Sequence, residues 1–538
     1  MRSDMAHVLL FGIAVAARAA VAMLHGEPAY ADSYYYVNVA RELASGQGFQ
    51  VGYIWNFIDV GGTVPVAPTL PVPSNAHWMP LASIVQVPFI WLLGPSPLAS
   101  TLPFWLIGAL AAPLAYSIAR DAALGRSSAI TAGLLTAVPL GLTPFMAQPD
   151  NFGLFMTLAA ATLWLASRGS RGDGRALVLG GLTTGLAMLS RNDGVLLLLP
   201  MGLATVVLIR RSETPSRALL AGATAAAVLL ATLTPWLIRQ LVTFGSFAPS
   251  AASGHMLWLT DYEQQFSVSD PPTLAGFLAA GVGPILESRI DGLISTLTIL
   301  IVAPFAVVLA VFLGVGIWRH RRSPHFREFF VYAIALIGAS ALVFSVHAGR
   351  GFFLHSVGAL LPHAYVLVAA GVAAVTAWVA RRRVTWHAPR ATRMFLAAAV
   401  AVSFLAAALQ IHGTAGAWAD SASPKRDMND VLAALAPDER VMSADPGSLN
   451  YLYGLPGVLT PQDPLPVIEN VARAYEIRWL LLESRAIVPA LQPILLGAER
   501  PGWISEPLTT VEAIGGATAP RAALYALCFE PSDRRCDP

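Results

Sequence analysis

The chain has 538 residues, of which 55% are hydrophobic and only 12% charged. One water-soluble core cannot take in that much apolar surface, so a soluble globular protein is excluded and the excess calls for lipid. The formal net charge of +2 gives no general basic field, so no nucleic-acid partner is expected, and the placement of the charges carries the information instead.

The first apolar run, about 7–24, has no small-residue cleavage site leading into a polar start and is followed by further apolar runs, so it reads as an uncleaved first span rather than a signal peptide. The long segment 25–98 comes next, with Tyr30, Tyr34, Tyr35, Tyr36, Trp55, Phe57 and Trp78, a composition suited to a structured layer at the membrane interface. Within it, Tyr36, Val39, Ala40 and Leu43 recur at helical spacing with Arg41 and Glu42 on the other side, which predicts a helix over 33–45 lying along the membrane. Leu81 to Leu93 is a second short element of the same kind. Further spans are expected near 99–118, 127–146, 152–167, 176–190, 194–209, 218–237, 293–317, 329–346, 357–380 and 393–412, each long enough or nearly so to cross hydrocarbon. Those at 152–167 and 176–209 are short and could be tilted or re-entrant.

Arginine clusters fall between alternate pairs of these runs, around Arg120 and Arg126, Arg168 to Arg175, Arg210 to Arg217, Arg319 to Arg327, and Arg381 to Arg393. The positive-inside rule makes those loops cytoplasmic and turns the Arg-poor loops 25–98, 146–151, 190–194, 239–291 and 347–356 outward. The expectation is an α-helical polytopic protein of the plasma (inner) membrane with about eleven transmembrane helices and a cytoplasmic N-terminus. Residues 1–412 would form the transmembrane module, with 25–98 and 239–291 as its first and largest outer loops. From 421 to 538 charged residues return and apolar runs shorten, as in a small soluble α/β domain, here extracytoplasmic. In that tail Met428–Leu435 and Pro466–Tyr475 read as helices, Arg440–Ser443 and Trp479–Leu482 as strands. It has no glycine-rich phosphate loop, so no nucleotide site is expected there. Both cysteines, Cys528 and Cys536, lie in this tail, where an oxidising exterior would permit a disulfide without requiring one.

Polar groups held near a bilayer surface must be satisfied by partners or by substrate, which singles out three features of the outer loops. Asp32 stands just before the interfacial helix, where it could equally serve as an N-cap. Asp150, in Gln148-Pro149-Asp150-Asn151, is the one charge of a tight turn, and a turn-forming Asp beside Pro is common. Together the two acids could hold an acceptor hydroxyl or a divalent cation; whether a cation takes part is left open, with Asp32 and Asp150 as the residues that would hold it. The third feature is a set of polar and cationic groups, His77, Arg191 beside Asp193, Arg239, and Arg350 with His355. One arginine at such a depth commonly just snorkels, whereas several suggest an anion site.

The segments Asp32 to Gly48 (with Tyr35), His77-Trp78-Met79-Pro80-Leu81, Asp150, Leu189-Ser190-Arg191-Asn192-Asp193-Gly194 and Pro235-Trp236-Leu237-Ile238-Arg239 resemble those of the GT-C superfamily of polytopic glycosyltransferases. The nearest in appearance are the aminoarabinose transferases of lipid A and the protein O-mannosyltransferases. The resemblance implies a glycosyltransferase with a polyprenyl-phosphate-linked sugar as co-substrate, no other cofactor being firmly implied, and an outward-facing acceptor that is a lipid, glycan or protein. It further implies Asp32 as catalytic base, Asp150 as its assistant, and outer-loop arginines on the donor phosphate in an inverting displacement. The Trp-Trp-Asp signature of oligosaccharyltransferases is absent, so en bloc glycan transfer is not expected. The rival reading is a lipid-linked-sugar or small-molecule transporter or flippase, which would place ionisable groups at midplane and often repeat its halves; neither feature is visible in the sequence.

Overall fold

The computed structural model describes residues 2–383, 385–512 and 520–529. The chain divides into two compact units, one made of Met1–Glu27, Trp78–Pro249 and Leu286–Ala415, the other of Pro28–His77, Ser250–Ile285 and Gly416–Pro538. One division point falls between Ala415 and Gly416, and residues 28–77 and 250–285 of the two largest outer loops go with the tail.

The first unit is helical. Among the described residues of the chain, Met5–Leu24, Pro97–Asp121, Asn192–Arg211, Pro215–Phe244, Ser345–Ala380 and Ala388–Asp427 are long and apolar enough to cross a membrane, as befits an integral membrane protein. The helix ends follow local signals. Ser96 accepts from the Ala99 N–H with Pro97 at the first position, Asp173 accepts from the Ala176 N–H, and Asp150 caps Asn151–Ser170. Glycines set the crossings. A Cβ on Gly371 would meet the Phe312 carbonyl oxygen at 1.9 Å and one on Gly316 the Leu367 oxygen at 2.0 Å, so helices Val308–His320 and Leu361–Ala380 touch backbone to backbone.

The span expected over 293–317 is not one helix. Helix Val282–Val302 stops and Val308–His320 begins after a break in which Ala306 and Val307 take positive φ. Pro304 cannot continue the hydrogen-bond ladder, and the carbonyls freed there find partners inside the protein: Ala303 accepts from the Gly141 N–H at 3.0 Å and Pro304 from the Tyr365 hydroxyl at 2.8 Å. The helix expected over 127–146 likewise ends at Ala137 and gives way to 3-10 turns, whereas the last helix runs on to Asp427, well beyond the apolar stretch.

The second unit contains all the described strands: β1 (Gln50–Val51), β2 (Tyr53–Ile54), β3 (Val72–Pro73), β4 (Val441–Ser443), β5 (Gly457–Leu459), β6 (Trp479–Glu483), β7 (Ile504–Val511) and β8 (Ala522–Leu527). A six-stranded sheet has the order β2-β5-β4-β6-β8-β7, parallel from β2 to β6 and antiparallel beyond. Strand β6 is buried along its whole length, as its continuous Trp-Leu-Leu-Leu run requires at the centre of a covered sheet. The edge strand β2 comes from the first loop, some four hundred residues upstream of its partner β5 by sequence number. The loop 250–285 is tied to the same sheet region by Asp463, whose carboxylate accepts from the Ser267 hydroxyl and the Val268 N–H, both at 2.7 Å, and from the Ser269 N–H at 3.2 Å. In the tail, the expected helices and strands appear as Asn429–Leu432, β4, Leu465–Ala474 and β6. Cys528 is buried, and Cys536 lies outside the described residues.

Because the Gly371 contact is with backbone, no side chain can step aside for an added methyl. Gly371→Ala is expected to destabilise the helical unit by about 1–3 kcal/mol, the range for overpacking. A lower unfolding temperature of the purified protein in detergent checks this, and an unchanged one contradicts it.

Candidate active site

In the helical unit, Asp150 sits at the buried N-cap of helix Asn151–Ser170 and accepts from the Asn151 N–H. Its Oδ2 lies 3.3 Å from Nε2 of His355, whose Nδ1 is 2.9 Å from the Gly351 carbonyl. The backbone carbonyl thus holds Nδ1 and leaves Nε2 facing the carboxylate. The imidazole packs over Phe152 at 4.1 Å between ring centres, which fixes its plane. A carboxylate facing an imidazole is also a donor pair suited to a divalent cation.

Next to this pair lies a second network. Arg191, the residue after helix Gly174–Ser190, donates from Nε to Asp193 at 2.8 Å, from Nη1 to the Asn151 side chain at 3.2 Å and from Nη2 to the Phe352 carbonyl at 3.4 Å. The other oxygen of Asp193 accepts from the Ser356 hydroxyl. Since Asn151 and Ser356 directly follow Asp150 and His355, the two networks join through the chain, and Asp150, Arg191 and His355 are brought together as one buried polar cluster. Side-chain exposures of 11% for Arg191 and 2% for Asp193 mean this ion pair is little screened by solvent. Arg239, near the end of helix Pro215–Phe244, lies over the rings of Trp236 and Phe244 at 5.0 and 4.9 Å. Arg350 is exposed on the turn Ala348–Phe352.

The remaining expected residues belong to the second unit. Asp32 is in the first turn of helix Ala31–Ala44, where the helix dipole favours a carboxylate, but it is not the N-cap. Tyr30 holds that position, and Ser33 accepts from the Ala29 and Tyr30 N–H groups at 2.9 and 3.1 Å. The capping role weighed for Asp32 is therefore already filled. Tyr35, buried, accepts from the Asn75 N–H at 2.6 Å. His77 is held through its carbonyl, which accepts from the Ser250 hydroxyl at 2.9 Å, and its ring meets Trp55 edge-on at 5.5 Å.

Sequence reasoning passed over Asn151, Ser356 and Asp59. Asp59 had a signal, its spacing of four from Trp55 on a short 3-10 turn, and its Oδ2 accepts from the indole N–H at 2.9 Å. The residue keeps some exposure but its Oδ1 is buried without a hydrogen bond, and this burial raises the carboxyl to about 7, against a smaller lowering by the indole N–H.

An acid raised in this way is held neutral in the folded chain while the unfolded one ionises near 3.9. Between roughly pH 4 and 7 the folded state binds the extra proton, so this group's contribution to stability falls as pH rises through that window. Thermal melts at pH 5 and 7.5 are expected to show a smaller pH dependence in Asp59→Asn than in the parent; identical dependence contradicts the assignment.

A family model described as dolichyl-phosphate-mannose-protein mannosyltransferase matches residues 77–238. No curated protein matches the chain. Among solved structures, ArnT from Cupriavidus metallidurans bound to undecaprenyl phosphate is similar with a TM-score of 0.57 at 15% identity, over 96% of this chain and 97% of that one. The Archaeoglobus fulgidus oligosaccharyltransferase is similar both when tethered with an acceptor peptide (TM-score 0.52, 16% identity, 89% and 69% covered) and in complex with Zn and sulfate (0.52, 15%, 88% and 68%). At such identities the likeness is one of fold, and with the motifs quoted from the loops it leads to one conclusion: this chain has the fold of the GT-C superfamily of polytopic membrane glycosyltransferases.

Proposed function

We propose that this protein is a membrane glycosyltransferase that moves one sugar from a polyprenyl-phosphate donor to an outward-facing acceptor, with inversion at the anomeric carbon. The observation that carries the reading is the buried carboxylate of Asp150, 3.3 Å from His355 and backed by the Arg191–Asp193 pair, in a chain of GT-C fold. A buried and oriented acid of this kind has to be stabilised by its surroundings, and such sites are usually functional. The matched family model and the lipid named with the similar ArnT structure support a lipid-phosphate-linked donor.

In the proposed reaction Asp32 takes the proton of the acceptor hydroxyl as the acceptor oxygen attacks the anomeric carbon. The bond from that carbon to the phosphate oxygen breaks, and polyprenyl phosphate leaves with the electron pair. A phosphate is stable as an anion, so the leaving group needs no acid; cations placed where its charge develops suffice. Arg350, which is exposed, and Arg239, held on two rings, take that role. Arg191 already donates to three protein acceptors and is assigned to positioning Asn151 and Asp193. His355 orients Asp150, which is assigned as the assisting acid, and Asp32 and Asp150 are the residues that would hold a divalent cation if one takes part. Tyr35 and His77 are assigned to substrate binding, and the protein sits in the inner membrane with its N-terminus in the cytoplasm and its tail outside.

Asp32→Asn keeps the shape of the side chain and removes the base. Transfer by membranes containing the variant, at normal abundance, is expected to fall by a factor on the order of 10² or more. Undiminished transfer would remove Asp32 from this role.

A further inference from the structure

Trp55 is a partly exposed residue of the second unit whose setting has more order than packing alone demands. Its indole N–H is fixed by Asp59 Oδ2 at 2.9 Å. Its ring meets His77 at 5.5 Å and 61° and Tyr35 at 6.4 Å and 69°, both edge-to-face geometries. Asp59 is itself held in place: it lies on the turn Phe57–Val60, which starts at Asn56, whose side chain accepts from the Ile58 N–H at 2.7 Å, and ends at Gly61 in a left-handed conformation. Phe57 next to it is buried in the main hydrophobic core of the unit. The orientation of the indole is therefore tied, through one carboxylate, to the rigid part of the fold.

We infer that Trp55 is a sugar-stacking platform, with Asp59 as the residue that positions it. The chemistry narrows the ligand. An indole whose N–H already has a carboxylate partner has π surface to offer rather than a hydrogen bond. The ligand that fits has a face of polarised C–H groups and a rim of hydroxyls, which is the form of a monosaccharide ring. A polar group for such a rim stands beside the indole in His77, which is partly exposed. This deepens the glycosyl-transfer reading and rests on it for the choice of a sugar over another flat ligand. The ring could belong to the donor or to a sugar-bearing acceptor, and the two are separated by experiment.

The test uses the full-length protein in nanodiscs and saturation-transfer-difference NMR with methyl α-D-mannopyranoside, methyl β-D-glucopyranoside and methyl β-L-arabinopyranoside. At least one is expected to receive saturation at its ring C–H protons. That signal is expected to fall roughly tenfold in Trp55→Ala, to be largely kept in Trp55→Phe, and to fall in Asp59→Ala more than in Asp59→Asn, which retains an acceptor for the indole. Equal signals for the parent and Trp55→Ala, or none for the parent, overturn the proposal. Transfer assays on the parent run alongside: sugar binding through Trp55 without any transfer would sink the enzyme reading and leave the platform standing. Where transfer occurs, a rise in KM for the lipid-linked sugar alone in Trp55→Ala assigns the ring to the donor, and a rise for the acceptor alone assigns it to the acceptor; a rise for neither overturns the platform.

Discussion

Hydrocarbon offers no hydrogen bonds, and that constraint decides most of the helical unit. Backbone groups are paired within helices, and where a helix breaks, as at 303–307, the freed carbonyls are met by Gly141 and Tyr365. Arg18 obeys the same rule in an extreme way. It is 1% exposed on helix Arg2–Leu24, and its guanidinium donates to the carbonyls of Ala14 at 2.8 Å, Gly108 at 3.1 Å and Ala137 at 3.5 Å. Gly108 permits this: a Cβ there would come within 3.3 Å of the Arg18 side chain and 3.2 Å of Gly153 on the helix that Asp150 caps. Other polar groups gather at helix ends, as in the Asp150–His355–Arg191 cluster.

The second unit solves a different problem, that of holding long loops still. Its sheet takes an edge strand from the first loop and accepts the loop 250–285 through Asp463, so segments distant in sequence share one core. Lys425, the one lysine of the chain, is buried with its Nζ 2.8 Å from Glu483, an ion pair whose loss would strand a buried charge. Asn38 of helix Ala31–Ala44 donates to the Gly447 carbonyl at 2.9 Å, so the helix bearing Asp32 and Tyr35 is anchored to the tail. Residues expected to touch substrate thus stand on a folded base although they belong to loops, the condition for a preorganised site.

Hydropathy and arginine placement sufficed for the membrane character, most helix positions and the α/β tail, because each is written in local composition. The helix over 33–45 was readable from its periodicity and appears at Ala31–Ala44. The break inside 293–317 was not, since an apolar run with one proline looks continuous until Gly141 and Tyr365 are seen to supply partners. Strand β2 is two residues long and exists only through its pairing with β5, a long-range event that leaves no local mark. At the candidate site, Asp150, Arg191 and His355 are each legible in the sequence as polar groups of the outer loops, whereas their union with Asn151 and Ser356 depends on the helix packing. An Asp before a helix usually reads as a cap, but here Ser33 with Tyr30 fills that role.

The proposed chemistry requires that the chain transfer a sugar rather than conduct it. Purified protein in vesicles containing a polyprenyl-phosphate-linked sugar and acceptor should release polyprenyl phosphate in equal amount to glycosylated acceptor. Appearance of the sugar lipid on the opposite leaflet, with its phosphate bond intact and no product formed, would contradict the account.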